Sequence, residues 1–226
     1  MSMPEPYKTS THKPKHLEIL DDKRQELFKD LAFTSRHGLY LAGGTALAFY
    51  LKHRTSIDFD FYSPEEFTKG ALVTNFLQEL TLYTPEVLRD INNTFDLVVD
   101  GINTSCFYYP YQLIRTANTL EGVQIAALED IAAMKLIAIA QRGNSRDFVD
   151  LYYLIQKFGL NQLLGWTSKK YPAYNKITIL KGLLFFKNAE ETLGEETNRI
   201  AIFDQALDWK TVKDYIQHEV VCFQQN

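Results

Sequence analysis

The chain has 226 residues, of which 46% are apolar and 13% aromatic, enough for the core of one large or two small globular domains. The formal net charge of −4 excludes a protein that coats nucleic acid along its length, so no duplex DNA partner is expected. The sequence has no charged-then-apolar leader and no run of about 20 apolar residues, so neither secretion nor a membrane span is expected.

The cysteine content indicates a reducing compartment. The two cysteines, Cys106 and Cys222, lack the spacing of metal ligands and are too few for a disulfide framework. A cytoplasmic location is therefore expected. Residues 1–15 carry three prolines among polar residues, which predicts a poorly ordered lead-in.

The first predicted elements are a helix, a strand and a second helix. Leucines at helical spacing predict a helix over His16–Arg36. The apolar run Leu39–Ala42 predicts a strand that ends at the pair Gly43 and Gly44, and Thr45–His53 predicts a short helix. Glycines before a helix N-terminus let a phosphate approach unpaired N–H groups, although such a turn is most often only a turn.

The next segment, Ser56–Tyr62, alternates between polar and apolar residues and predicts a strand. A period of two places Ser56, Asp58 and Asp60 on one face. Side chains two residues apart on one face lie roughly 7 Å apart, so the two carboxylates can converge on a divalent cation or an ion pair. A solvated strand face is the alternative, but adjacent like charges are unfavourable without a compensating cation.

A helix and three further strands are predicted to follow. Ser63 is predicted to be the N-cap and Pro64 the first residue at the start of a helix over Glu65–Leu80. The three strands are Glu86–Ile91, Phe95–Asp100 and Ile102–Tyr108, with a hairpin turn at Asp100 and Gly101.

Residues Leu128–Phe158 predict a pair of helices separated by Gly143 and Asn144. In the first helix, Lys135 and Arg142 share a side with apolar residues, and cations in such a stripe need an anionic partner. The alternative is that their aliphatic stems pack while the charged heads reach solvent.

In the second helix of this pair, Ser145 can act as the cap. Asp147 and Asp150 then lie beside an apolar stripe. The alternative role here is an Arg146–Asp150 pair that gives weak surface support.

The segment GGTALAFYLKHRTSIDFDFY resembles the DNA polymerase β nucleotidyltransferase superfamily, in which a glycine turn and a helix precede Asp-x-Asp on the next strand. More narrowly, it resembles the AbiEii/AbiGii toxin family, whose pattern is GGTAL and then R-x-S-x-D-x-D-F. The matching residues of the second part are Arg54, Ser56, Asp58, Asp60 and Phe61.

The helix pair also resembles a second block of that family, K-L-x-A-I-x-x-R followed by R-D-x-x-D-L. The matching residues are Lys135, Leu136, Ala138, Ile139, Arg142, Arg146, Asp147, Asp150 and Leu151. Together the two blocks span Leu39–Phe158, about half of the chain.

These resemblances imply an α/β (α+β) fold of the polymerase β type, in which a mixed sheet with flanking helices is followed by a C-terminal helical bundle. The expected parts are a nucleotidyltransferase domain over 16–118 and a helical domain over 119–226 that completes the active-site cleft. Helical spacing over Tyr174–Glu190 and Trp209–Phe223 agrees with this division.

The resemblance further implies transfer of a nucleotidyl group from a nucleoside triphosphate (NTP) to an acceptor hydroxyl, with Mg²⁺ or Mn²⁺ as the metal. Asp58 and Asp60 would bind the metal and act in catalysis with Lys135, Asp147 and Asp150. The implied nucleotide-binding residues are Gly43, Gly44, Thr45, Arg54, Ser56, Lys135, Arg142 and Arg146. The family implies the toxin of a bacterial toxin–antitoxin or phage-defence pair, with an antitoxin protein as partner and RNA, including tRNA, among the candidate acceptors.

Enzymes of the polymerase β type take a third carboxylate from a later strand, and the alignment puts Ser105 at that position. Asp96 and Asp100, in the neighbouring strand, are candidate substitutes, as are Asp147 and Asp150 if the helices close over the cleft. A solvated strand face or a turn is the alternative role for Asp96 and Asp100.

Two other functions fit the sequence. One is a transferase of the same superfamily that acts on a protein hydroxyl or on a small molecule such as an aminoglycoside, and the acidic chain mildly favours a cationic acceptor. The other is a non-catalytic nucleotide-binding or interaction module, which Ser105 in place of the third acid favours.

Overall fold

The computed structural model describes residues 11–191, 193–194 and 199–225. Of the lead-in predicted over 1–15, residues 1–10 lie outside the described residues. The remaining part contacts the folded chain, because Lys15 donates its backbone N–H to the carbonyl of Phe49 at 3.0 Å and Lys13 Nζ donates to Asn118 Oδ1 at 3.0 Å.

Helices make up the larger part of the described chain. The α-helices are α1 (Asp22–Asp30), α2 (Gly43–Leu51), α3 (Ala71–Glu79), α4 (Leu128–Gln141), α5 (Ser145–Phe158), α6 (Leu160–Lys170), α7 (Lys176–Leu183), α8 (Lys187–Glu191) and α9 (Trp209–Gln225). Two 3₁₀ helices, Leu17–Ile19 and Leu31–His37, flank α1.

One mixed sheet of seven strands runs through the molecule in the order β3-β4-β5-β2-β1-β7-β6. The strands are β1 (Tyr40–Ala42), β2 (Phe59–Ser63), β3 (Pro85–Ile91), β4 (Thr94–Val99), β5 (Ile102–Tyr108), β6 (Asn118–Leu120) and β7 (Val123–Ile125). Pairing is parallel between β2 and β5 and between β1 and β7, and it is antiparallel elsewhere. The mixed sheet with flanking helices confirms the predicted fold class.

The two faces of β2 differ in character, and this difference positions the site. Phe59 and Phe61 are fully buried on one face, while Asp60 and Tyr62 alternate with them on the other. The buried face packs against α1, α3 and the second 3₁₀ helix through an aromatic cluster of Phe28, Phe33, Phe49, Phe59, Phe61, Phe76 and Phe95. Each buried phenylalanine stabilises the fold by about 1.5–3 kcal/mol, so this face anchors the strand that carries Asp60.

The prediction of one helix over His16–Arg36 is wrong in its extent. Asp21 accepts the backbone N–H of Arg24 at 2.9 Å and caps a new helix, α1. An aspartate with its side chain bound in this way starts a helix instead of continuing one.

The prediction that Ser63 caps a helix over Glu65–Leu80 is also wrong. Ser63 is the last residue of β2, and α3 begins only at Ala71. Residues 64–70 form a loop whose backbone N–H groups are held by the β3–β4 turn: Phe67 N donates to Asn93 Oδ1 at 3.0 Å and Lys69 N donates to Asn92 Oδ1 at 2.9 Å.

The strand predicted over Ser56–Tyr62 begins later, at Phe59. The carbonyls just before it accept hydrogen bonds from side chains: Arg24 Nε donates to Ile57 O at 3.1 Å, and the Thr45 hydroxyl donates to Asp58 O. Asp58 therefore lies immediately before the first residue of β2, and Asp60 lies within the strand.

The sheet continues past the domain boundary expected at residue 118. Strands β6 and β7, which the sequence did not predict, pair with each other and join the sheet beside β1. The division into two domains remains a prediction.

In the C-terminal part, α4 is the central element, because it is buried along most of its length and packs against α2, α5, α6 and α7. Among the described residues, the cysteines Cys106 and Cys222 are not joined in a disulfide. Within the described ranges, no helix combines the length and the apolar character needed to cross a membrane.

Candidate active site

The turn between β1 and α2 lies directly beside Asp60. Ala42 is opposite Asp60 in the β1–β2 pairing, so the next residue, Gly43, approaches the carboxylate. Gly43 has φ +71°, and a Cβ there would lie 3.2 Å from Asp60 Oδ2. Gly44 is even closer to a charged group, because a Cβ there would lie 2.2 Å from Arg54 Nη2. Both glycines are therefore required by close approach of side chains.

Asp58 is partly exposed and accepts a hydrogen bond. Asn103 Nδ2 donates to Asp58 Oδ1 at 2.9 Å. Two guanidinium groups lie at longer range: Arg146 Nη1 is 3.9 Å from Asp58 Oδ2 and Arg199 Nη2 is 3.8 Å from Asp58 Oδ1. Asp58 thus accepts one close hydrogen bond, and the two guanidinium groups are far enough away to leave space beside its carboxylate oxygens.

Asp60 has a different environment. No hydrogen bond from the described residues reaches its carboxylate. Burial, and then the neighbouring charge of Asp58, raise the pKa of Asp60, while Lys135, Arg142 and Arg146 act in the opposite direction. Asp60 is therefore a carboxylate that has cations nearby but no hydrogen-bond donor among the described residues.

Behind the cleft, Asp150 is fully buried and accepts three hydrogen bonds, from His53 Nε2 at 2.7 Å, Arg54 Nε at 2.7 Å and Arg54 Nη2 at 3.0 Å. It also forms an ion pair with Lys135, whose Nζ lies 2.7 Å from Asp150 Oδ2. Burial alone would raise the pKa of Asp150, but Arg54 and Lys135 hold it well below its ordinary range. Asp150 is therefore an ionised, buried acceptor that is surrounded by donors, which suits it to position other residues.

His53 is neutral in this network. Burial lowers its pKa, its Nε2 is bonded to Asp150, and its buried Nδ1 finds no hydrogen-bond partner among the described residues. Because the ionised Asp150 can only accept, the imidazole carries its proton on Nε2.

Lys135 links the two helices of the second block. Its Nζ lies 2.7 Å from Asp147 Oδ1 and 2.7 Å from Asp150 Oδ2. Arg142 Nε donates to Asp147 Oδ2 at 3.2 Å, and the Arg142 side chain is 63% exposed. The anionic partners expected for the cations of α4 are therefore supplied by α5. The predicted weak Arg146–Asp150 pair is absent from the contacts described for these residues, since Asp150 is buried against Arg54.

One polar cleft of about 210 Å³ joins the two sequence blocks. Its lining residues are Gly44, Thr45, Arg54, Ser56, Asp58, Asp60, Lys135, Arg142, Asn144, Arg146 and Asp147. Of the other predicted site residues, Gly43 lines an adjoining pocket and Asp150 lies behind the cleft. The hydroxyls of Thr45 and Ser56 are bonded to each other at 2.6 Å, and Arg54 is committed to Asp150.

The position of the missing third acid is well defined. Ser105 in β5 lies directly opposite Asp60 in β2, and Asp96 in β4 lies directly opposite Ser105. Asp96 is paired with Arg89 at 2.7 Å. Asp100 has φ +49° in the β4–β5 turn and accepts the backbone N–H of Thr84 at 2.8 Å, so it is a turn residue.

Sequence reasoning missed Asn103 and Arg199. The alternation of β5 gave a signal for Asn103, because it precedes Ser105 by two residues on the same face. Arg199 gave none, since it lies outside every motif. It is brought to Asp58 by a short antiparallel contact in which Thr55 N donates to Ala201 O at 2.9 Å and Phe203 N donates to His53 O at 3.1 Å.

The carboxylate pair fits a divalent cation in its chemistry. Asp58 and Asp60 offer oxygen donors, which Mg²⁺ and Mn²⁺ prefer, and Asp60 has no competing hydrogen-bond donor among the described residues. Within that part of the chain, no cluster of three or more His, Cys, Asp or Glu side chains is arranged to hold a metal. Further ligands would therefore come from substrate and water, as is usual for Mg²⁺ at phosphate sites.

Comparison with known proteins gives the family. The family model described as nucleotidyl transferase AbiEii toxin, type IV TA system, matches residues 96–219, more than half of the chain. An uncharacterized protein of Aquifex aeolicus is 33% identical over 214 residues, which cover 92% of this chain and 99% of that protein.

Two solved structures share the fold. JHP933 from Helicobacter pylori has a TM-score of 0.58 at 19% identity, covering 96% of this chain and 94% of its own. MenT4, a nucleotidyltransferase toxin from Mycobacterium tuberculosis, has a TM-score of 0.56 at 14% identity, covering 89% of this chain and 82% of its own. The family match together with this fold identifies the chain as a member of the AbiEii family of nucleotidyl transferase toxins.

Proposed function

We propose that this chain transfers a nucleotidyl group from an NTP to an acceptor hydroxyl in the cleft between β2 and the α4–α5 pair. The observation that carries the proposal is the Asp58/Asp60 pair, which lines the same cleft as Lys135, Arg142 and Arg146. Carboxylates for a metal and cations for phosphates are the two sets of groups that phosphate transfer chemistry requires.

Asp58 and Asp60 would hold the divalent cation, Mg²⁺ or Mn²⁺. When bound, such an ion supplies Lewis-acid stabilisation of phosphate oxygens and lowers the pKa of an acceptor hydroxyl. Ser105, opposite Asp60, adds a hydroxyl and no charge to this site.

The triphosphate would be held by the N-terminus of α2 and by Arg142. The α2 helix begins at Gly43 beside Asp60, and its first N–H groups are available to an anion. Arg142 uses only its Nε toward Asp147, so its other guanidinium nitrogens can reach a phosphate. Lys135 and Arg54 are fixed by Asp147 and Asp150, and they contribute positive charge at a set position.

The chemistry is a displacement at the α-phosphorus. The acceptor oxygen forms a bond to the α-phosphorus, the bond from that phosphorus to the bridging oxygen of the β-phosphate breaks, and pyrophosphate leaves. The proton of the acceptor hydroxyl is released to solvent or to a carboxylate of the cleft. Asp150 is unsuited to that role, because it is buried behind the cleft and its neighbours Arg54 and Lys135 hold its pKa well below the ordinary range.

Family membership supports a biological role as the toxin of a toxin–antitoxin or phage-defence pair, with an antitoxin protein as partner and RNA, including tRNA, among the acceptors. A cytoplasmic location is part of this proposal, since the two cysteines are not joined in a disulfide within the described residues, which suits a reducing compartment.

The test is transfer by the wild type and by two neutral variants, Asp58→Asn and Asp60→Asn. Each NTP is incubated with Mg²⁺ and with RNA, protein and small-molecule fractions of a cell extract, and acceptors are analysed by mass. We expect a gain of one nucleotide monophosphate with the wild type and a loss of at least about 100-fold in rate with either variant.

Asp96→Asn is the matched control, because it removes a carboxylate from the same sheet face that is already paired with Arg89. Full transfer by Asp58→Asn or Asp60→Asn would contradict the assignment of the site. NTP binding by a folded wild type that labels no fraction would favour the non-catalytic alternative.

A further inference from the structure

A second pocket of about 190 Å³ adjoins the charged cleft. Lys135 and Arg142 line both spaces, and Gly43 and Gly44 lie next to each other at their junction. The two spaces thus share a wall and differ in chemistry.

The second pocket has aromatic and apolar walls that the charged cleft lacks, and its polar lining is Gln141 with the shared Lys135 and Arg142. Its distinguishing walls are Tyr62 and Tyr109 from the sheet side and Met134, Ile137 and Ala138 from α4. None of its described lining residues is a carboxylate, whereas the cleft contains Asp58, Asp60 and Asp147. A ligand that fills both spaces must therefore be charged at one end and flat or apolar at the other.

The aromatic wall is held in place by its neighbours. The Tyr62 ring is stacked on Tyr40 at 5.9 Å between centroids and meets Tyr109 edge to face at 5.3 Å. The Tyr109 hydroxyl is hydrogen-bonded to the Tyr171 hydroxyl. Rings fixed in this way present a surface whose ordering costs little when a ligand stacks on it.

The distance from this wall to the metal-binding candidates is short. Tyr62 follows Asp60 by two residues in β2, so both side chains lie on one face, roughly 7 Å apart at the backbone. That spacing matches a single molecule whose phosphates lie at Asp60 and whose ring lies at Tyr62.

We propose that this pocket binds the nucleobase of the NTP substrate, with the base held between the aromatic wall of Tyr62 and Tyr109 and the apolar face of α4. The inference rests on the proposed function, because it places the nucleoside end of the same substrate. Stacking on aromatic side chains contributes about 10- to 100-fold to the affinity for a base.

The experiment compares two kinds of ligand that share a triphosphate, of which only the NTP carries a base. Binding of each NTP and of inorganic tripolyphosphate, both with Mg²⁺, is measured by calorimetry. Ala138→Phe fills the pocket from α4 without removing a polar group, and Ala206→Phe, at an exposed position outside the pocket, is the matched control.

We expect Ala138→Phe to weaken binding of at least one NTP by about 10-fold or more while the affinity for tripolyphosphate stays unchanged. Ala206→Phe should change neither. Tripolyphosphate binding also reports that the cleft of each variant is folded.

A second pair of variants covers the case in which Ala138→Phe does not fold. Tyr109→Leu removes the ring and should weaken NTP binding selectively, whereas Tyr109→Phe keeps the ring and should retain most of it.

Equal binding of NTP and tripolyphosphate by the wild type, or unchanged NTP binding by Ala138→Phe and Tyr109→Leu, would overturn the pocket assignment and leave the proposed function standing. If Ala138→Phe and Tyr109→Leu bind NTP as the wild type does but lose transfer, the pocket belongs to the acceptor. That result would also overturn the assignment of the pocket to the nucleobase. Failure of the wild type to bind either ligand would instead contradict the proposed function.

Discussion

At the scale of single residues, Asp60 combines burial with a neighbouring carboxylate, and both raise its pKa. A raised pKa in the folded state contributes stability that is fully present below the pKa of the unfolded chain and is lost as the pH rises through the folded value. Ionised Asp60 is therefore a destabilising charge at neutral pH in the metal-free protein.

We expect Asp60→Asn to unfold at a higher temperature than the wild type at neutral pH. The difference should shrink as the pH falls and should vanish below the ordinary pKa of a carboxyl group, where Asp60 is protonated in both the folded and the unfolded state. Thermal unfolding of both proteins without metal across this pH range measures it, with Asp96→Asn as control. A variant that is less stable at neutral pH would contradict the raised pKa.

Gly44 is a residue whose role is set by packing. A methyl group there would overlap Arg54, which cannot move without losing its two hydrogen bonds to the buried Asp150. We expect Gly44→Ala to lower the free energy of unfolding by about 1–3 kcal/mol, the usual cost of overpacking.

Gly165, in α6, is the matched control because a Cβ there meets no atom within 4 Å. Gly165→Ala should stabilise the protein by roughly 0.5–1 kcal/mol through helix propensity. Chemical denaturation measures both values. A Gly44→Ala protein as stable as the wild type would mean that Arg54 can rearrange.

The sequence predicted the site residues unevenly. Asp58, Asp60, Lys135 and Asp147 stand in ordered motifs, and all four line the cleft. Arg199 could not be predicted, since only a tertiary backbone contact brings it to Asp58. The pairing of Arg54 with Asp150 could not be predicted either, because a motif specifies residue types but not their hydrogen-bond partners.

At the scale of elements, the sheet was predicted well where alternation was strong and poorly where strands were short. Strands β3, β4 and β5 were found from alternating residues and the Asp100–Gly101 turn. Strands β6 and β7 have three residues each, too few for a period to show. The loop over 64–70 was mistaken for helix because its stabilising partners, Asn92 and Asn93, are distant in sequence.

The register of β5 leads to a prediction about Ser105. Because Ser105 is opposite Asp60, a carboxylate placed there would point to the metal-binding candidates. We expect Ser105→Asp to leave transfer activity unchanged or to raise it, since the new oxygen donors add to the site. Steady-state transfer rates over a range of Mg²⁺ concentrations measure this, with Ser105→Asn as the uncharged control. An inactive Ser105→Asp protein that still folds and binds NTP would show that a carboxylate at this position obstructs the site.

At the scale of the whole molecule, the cleft exists because the sheet and the α4–α5 pair each supply half of it. The sheet contributes Asp58 and Asp60, and the helices contribute Lys135, Arg142 and Asp147. Asp150 joins the halves, since it binds Arg54 from the β1–β2 connection and Lys135 from α4. The cleft therefore depends on residues from two motifs that are far apart in sequence.

The central claim is that a nucleotidyl group is transferred, and isotopic labelling tests it most directly. The protein is incubated with Mg²⁺, an acceptor fraction and the same NTP labelled either at the α- or at the γ-phosphate. The account predicts that α-label becomes covalently bound to the acceptor while γ-label appears in pyrophosphate, and that Asp60→Asn abolishes both. Transfer of γ-label to the acceptor would show phosphoryl transfer instead and would contradict the account.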